Sequence, residues 1–220
     1  MNRRLDLPIA IVAHPVLDLP VAVAVWLIGL GWVARTGNWT PLAVAAVAAA
    51  GRLIAHDPST RSLLAPNRAA LALGAAGGAA MIAATYLLFP PLARAVPGLA
   101  SSTRSLYALL DAGALHPTVL AAVLVLVATS EEVLWRGRLL VTANGDVAPS
   151  GRAAQLGRAV AFAALYGAAH GASGSPLLAG VAFLCGCAWG LLRLASGSLW
   201  PPVIAHALWD VAVLVLWPVA

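Results

Sequence analysis

The chain has 220 residues, of which 61% are hydrophobic and only 10% charged, with a mean hydropathy of +0.90. That is more apolar surface than one soluble core can bury, so an ordinary soluble domain is excluded and a polytopic helical membrane protein is indicated. The net charge of +5 rests on 13 arginines and no lysine, a balance that sets membrane orientation and meets lipid headgroups rather than nucleic acid.

The amino-terminal stretch Met1-Asn-Arg-Arg-Leu-Asp-Leu-Pro8 is basic, but no small-residue cleavage site follows it, so the first apolar run is read as a retained span. Seven apolar stretches suit helices of about 20 residues: 16–34, 40–55, 69–89, 117–141, 157–173, 176–195 and 199–217. The second is short and carries Arg52 near its end. Segment 92–114 is mixed and broken by Pro97-Gly98, which predicts a loop with a helix lying at the interface. The expected fold is therefore all-α: a polytopic transmembrane bundle of about seven spans with one interfacial helix. Residues 1–115 supply N-terminal helices and the interfacial loop, and 116–220 a core, within one integrated membrane domain.

With a cytoplasmic amino terminus, Arg3, Arg4, Arg52, Arg61, Arg68, Arg136, Arg138, Arg152, Arg158 and Arg193 fall on or near the inside. Arg35, Arg94 and Arg104 fall outside, which satisfies the positive-inside rule. Arginine without lysine, with abundant Ala and Gly, suggests a GC-rich bacterial genome and hence an inner membrane. Trp32, Trp39, Trp135, Trp200 and Trp217 lie near span ends, where indoles favour the headgroup layer. Cys185 and Cys187 point to nearly opposite helix faces and read as small packers, not a bridge. His14, His56 and His116 read as solvated, Asp18 as an interfacial cap, and Asp6, Asp57, Asp111 and Asp146 as loop charges.

The only two glutamates, Glu131-Glu132, are adjacent and end the apolar run that starts at Thr118. A carboxylate at membrane depth is costly unless paired or facing a wet cavity, so the pair is a functional candidate; the bland reading is an ion-pair network locking helices together. Arg136 lies four residues from Glu132 on one face, and His206 and Asp210 repeat that spacing on the last span. His170 closes the fifth span, before the breakers Gly171-Ala-Ser-Gly-Ser-Pro176. Glu131 lies seven residues, ~10 Å, before Arg138, His206 lies seven residues, ~10 Å, after Leu199, and His170 lies ~18 Å beyond Arg158. These side chains can share one cavity between three helices.

Glu131-Glu132-Val-Leu-Trp-Arg136 resembles the Glu-Glu-x-x-x-Arg signature of the CPBP family, the CAAX-protease and bacteriocin-processing intramembrane proteases. Tyr166-Gly-Ala-Ala-His170 is similar to its second motif, Phe-x-x-x-His, and His206-Ala-Leu-Trp-Asp210 to its third, His-x-x-x-Asn/Asp. The order is right, and the likeness covers about the last hundred residues. Two positions depart. Tyr166 replaces Phe, adding a hydroxyl that needs a partner. Asp210 stands where many members have Asn, so it must pair with His206 or carry a proton near an oxyanion.

The resemblance implies an intramembrane endopeptidase in which Glu131, with His170, activates a water, His206 and Asp210 stabilise the oxyanion, and Glu132 and Arg136 hold the geometry. No cofactor is implied, although Glu131, His170 and His206 are also a legitimate zinc set. Expected partners are the lipid bilayer and a membrane-associated peptide or protein, with no nucleic acid; oligomeric state and the cleaved bond have no sequence signature. A rhomboid-like serine protease is the rival, through Gly171-Ala-Ser173-Gly174 with His206, but it leaves both glutamates unexplained. A proton-coupled transporter, or a non-enzymatic immunity or scaffold protein, is the third reading.

Overall fold

The computed structural model describes residues 15–111, 115–139 and 151–219. Arg3, Arg4, Asp6, His14 and Asp146 lie outside them, as do positions 140 and 141 of the fourth expected span. In chain order the helices are α1 (Pro15–Thr36), α2 (Thr40–His56), α3 (Pro58–Leu63), α4 (Arg68–Ala95), α5 (Leu99–Asp111) and α6 (Pro117–Glu131). α6 continues as a π-helical turn, Glu132–Arg136. Then come α7 (Arg152–His170) with a 3₁₀ turn Gly171–Ser173, α8 (Pro176–Ser196), and α9 (Trp200–Asp210), which passes into a second π-helical turn, Val211–Leu216. No strand occurs among the described residues.

Four helices are long and apolar enough to cross a membrane, Asp18–Thr36, Arg68–Ala95, Pro117–Arg136 and Pro176–Ser196, and Thr40–His56 and Trp200–Leu216 are shorter apolar helices. The protein is thus a helical membrane bundle. The remaining expected span, 157–173, falls in α7, whose first turns carry Arg152, Gln155 and Arg158 and so shorten its apolar length. α4 runs past its expected end through Pro90-Pro91 to Ala95, and α5 is the amphipathic helix expected within 92–114.

Local chemistry sets the boundaries. Asn67 caps α4 by accepting the Ala69 N–H at 2.9 Å, and Ser175 caps α8 by accepting from Leu178 at 3.2 Å with Pro176 behind it. Gly197, at φ +67°, ends α8. α7 lies against α8 and α4 against α9, while α1 packs on α2, α7 and the 3₁₀ turn. A Cβ at Gly167 would come within 2.8 Å of the Ala179 carbonyl, so glycine lets α8 approach the end of α7 that carries His170.

Three expectations change. Asp18 is no interfacial cap: it is buried, paired with Arg52 and, at 2.8 Å, with Arg138. Asp57 is no free loop charge either. It caps α3 through Ser59 N–H at 2.9 Å and meets Arg138 at 2.9 Å. Desolvation would raise its pKa, but the Ser59 and Thr60 hydrogen bonds and the Arg138 charge outweigh it and hold the carboxyl at about 2. Trp135 is buried rather than in the headgroup layer, because the π-helical turn lies wholly inside the bundle. Its ring stands edge-on to Trp26 and Tyr166, with centroids 6.2 and 5.3 Å away. Trp32 and Trp217 are exposed, and His56, His116 and Asp111 are exposed as expected.

Candidate active site

Glu131 is the last α-helical residue of α6 and is 4% exposed. Each of its oxygens receives a neutral donor: the Trp26 indole N–H from α1 reaches Oε1, and the Tyr166 hydroxyl from α7 reaches Oε2, both at 2.5 Å. Two imidazoles face the same carboxylate at longer range. His170 Nε2 lies 3.5 Å from Oε1 and His206 Nε2 3.5 Å from Oε2. Side chains from α1, α7 and α9 therefore meet at one carboxylate.

Partners fix the ring orientations. His170 Nδ1 lies 2.8 Å from the Tyr166 carbonyl, which only accepts, so that nitrogen carries the proton and Nε2 is turned to Glu131. His206 Nδ1 lies 2.8 Å from Glu132 Oε1, and the same oxygen accepts from Arg136 at 3.1 Å. Glu132 thus does more than stand beside Glu131: it holds an imidazole from α9. The Trp189 ring stacks on His206 at 3.5 Å between centroids and 19° between planes. Asp210 Oδ2 lies 3.5 Å from His206 Nε2, the pairing its acidic character required. Arg136 also spans the Tyr166 and Trp189 rings at 4.5 and 5.2 Å.

The backbone serves this arrangement. The Gly137 N–H reaches back to the Glu132 carbonyl at 2.9 Å, closing the five-residue π turn. A Cβ at Gly137 would meet the Val133 carbonyl oxygen at 2.1 Å, so only glycine fits there. The second π turn begins directly after Asp210. Both wide turns thus adjoin site residues.

Glu131, Tyr166, His170, Trp189, His206 and Asp210 line a chamber of about 110 Å³, space for a few waters at roughly 30 Å³ each. Beside it, between α4, α5, α8 and α9, is a cavity of about 550 Å³ with an almost wholly apolar lining that includes Met81, Phe89 and Leu184. Val181, Cys185 and Trp209 line both.

All six ionisable motif residues are brought together. Ser173 is not placed like a nucleophile: its hydroxyl donates to the His170 carbonyl at 2.7 Å and accepts the Ser175 N–H at 3.2 Å, so both capacities serve the turn. Among the described residues no group of three His, Cys, Asp or Glu side chains is arranged to hold a metal ion.

Sequence reasoning missed Trp26 and Trp189 and gave no partner for the Tyr166 hydroxyl. A signal existed. Three tryptophans, Trp26, Trp189 and Trp209, sit away from span ends, where an indole N–H has no water to bond. All three line the chamber: Trp26 donates to Glu131, Trp189 stacks on His206, and Trp209 donates to Thr85 Oγ1 at 2.9 Å.

A family model described as type II CAAX prenyl endopeptidase Rce1-like matches residues 113–212, the stretch that holds all three motifs. No curated protein and no solved structure matches the chain significantly. The match supports an intramembrane endopeptidase at the level of the family, and with it a membrane-associated substrate. Residues 113–212 of this chain are therefore similar to the Rce1-like type II CAAX prenyl endopeptidase family.

Proposed function

We propose that this protein hydrolyses a peptide bond of a membrane-associated protein or peptide with a water activated by Glu131. The observation that carries the reading is one carboxylate facing two imidazole Nε2 atoms at 3.5 Å beside a small chamber. A water in the chamber, in reach of both Glu131 and His170 Nε2, loses its proton to Glu131 as it attacks the scissile carbonyl, and the proton then passes to the leaving amine. His170, with its proton on Nδ1, orients that water by accepting its second hydrogen at Nε2. His206, held through Nδ1 by Glu132, offers Nε2 as a donor to the tetrahedral oxyanion. Asp210 beside that nitrogen stabilises the imidazolium form of the ring.

The substrate reaches this chamber from the bilayer. The adjoining 550 Å³ cavity suits an apolar chain carried by the substrate, in keeping with the prenyl group named in the family description. Arg52, Arg138, Arg158 and the ends of α1, α2 and α6 gather at one end of the bundle, which supports a cytoplasmic amino terminus by the positive-inside rule. The decisive experiment is cleavage of an internally quenched farnesylated peptide with a CAAX tail by the full chain in proteoliposomes. Cleavage by the parent and none by Glu131→Gln is expected. A fully active Glu131→Gln variant would discard the mechanism.

A further inference from the structure

The first helix lies outside the segment that matches the family, yet it reaches the centre of the site. We infer that Trp26 and Tyr166 are positioning residues that clamp the two oxygens of Glu131 and aim its free lone pairs at the chamber. This rests on Glu131 acting as the base.

Three observations carry it. The donors are neutral and symmetric, one per oxygen at 2.5 Å, and come from different helices, α1 and α7. Rotation of the carboxylate breaks both bonds, so its orientation is set twice over. Secondly, an indole and a phenol inside the bundle each need a partner for their polar hydrogen, and both find it on the same carboxylate. Thirdly, α1 is held in register. Asp18, two turns before Trp26, is bound to Arg52 of α2 and to Arg138, two residues beyond Arg136 at the end of the π-helical turn. The ion pair near the helix end thus fixes the depth at which Trp26 meets Glu131.

The clamp has a chemical purpose. Both imidazoles stand 3.5 Å from the carboxylate, a gap that a freely rotating carboxylate would close by pairing directly with one of them. Held by Trp26 and Tyr166, Glu131 keeps its remaining lone pairs turned to a water in the adjoining chamber. Losing a donor should slow the chemical step without weakening substrate binding.

The test uses the full chain with Trp26→Phe, Tyr166→Phe and the double variant, assayed on the quenched farnesylated CAAX peptide. Each single change should lower kcat by about 10- to 100-fold, as loss of an outer support does at other sites, with KM and the unfolding temperature held near those of the parent. A parallel fall of kcat and unfolding temperature, or parental kcat in both variants, would overturn the inference. A second measurement is independent of turnover. In ¹⁵N-tryptophan protein in micelles, the indole proton resonance that Trp26→Phe removes should lie downfield and move upfield in Glu131→Ala. If it does not move, the clamp is wrong. If it moves while Glu131→Gln still cleaves the peptide, the clamp stands and the base assignment falls.

Discussion

The bundle holds two polar clusters built from the same materials. Near the α1 start, Asp18 and Asp57 meet Arg52 and Arg138, with ion pairs of 2.8 and 2.9 Å to Arg138. Acids and arginines there balance two against two. In the chamber, Glu131, Glu132 and Asp210 face one arginine and two histidines, and the contacts of the histidines to the acids run from 2.8 to 3.5 Å. The first cluster is closed and neutral; the second carries titratable excess and has a cavity beside it. Buried charge that only holds helices together pairs itself out, whereas buried charge that reacts keeps loose contacts and space.

Substitutions in the two clusters should therefore fail differently. Glu131→Gln should lower peptide cleavage by about 10²- to 10⁴-fold, the usual contribution of a general base, with thermal unfolding in detergent unchanged. An equal loss of stability would erase the contrast. His206→Ala should follow at roughly 10²-fold or more in kcat, since it removes the oxyanion donor and leaves Glu132 with Arg136 alone. Asp18→Asn should do the opposite, costing about 3–5 kcal/mol of stability by leaving Arg52 without its acid and Arg138 with Asp57 alone, as breaking a buried ion pair does. Chemical denaturation with activity normalised to folded protein would read both effects, and a stable but slow Asp18→Asn would place the network in the catalytic centre.

Most of the site could be read from spacing because its pairs are local. Glu132 with Arg136 and His206 with Asp210 follow from one helical turn, and both occur. The pairs that were not legible are distant in sequence. Trp26 and Glu131 are separated by 105 residues, and Glu132 and His206 by 74, so their meeting depends on helix crossings that hydropathy does not encode. The same holds for Asp18, whose burial depends on two arginines from other elements. The span pattern was readable because bilayer thickness fixes helix length. The π-helical turns were not, since Glu132–Arg136 reads as ordinary helix in composition. Only the requirement for glycine at position 137 betrays the turn, and a glycine at the end of a span has many causes.

The smallest effect tests the closed cluster through protons. Asp57 lies in the connection between α2 and α3, and its carboxyl is held at about 2 against an ordinary value of 3.8. A carboxyl whose pKa is lower in the folded state binds its proton first in the unfolded chain. It therefore stabilises the fold fully above about pH 4, and that contribution drains away as pH falls through about 2. Asp57→Asn removes the titration while keeping a side chain that can still cap α3. Parent and variant should thus differ in unfolding temperature above about pH 4 and converge near about pH 2. Cleavage per folded molecule should stay at the parental level throughout, because the chamber acids belong to the other cluster. A gap that persists at the acid end would mean that the substituted asparagine fails as a cap rather than as a charge. The pairing of Asp57 with Arg138 would then contribute little to holding α3 against the end of the π-helical turn.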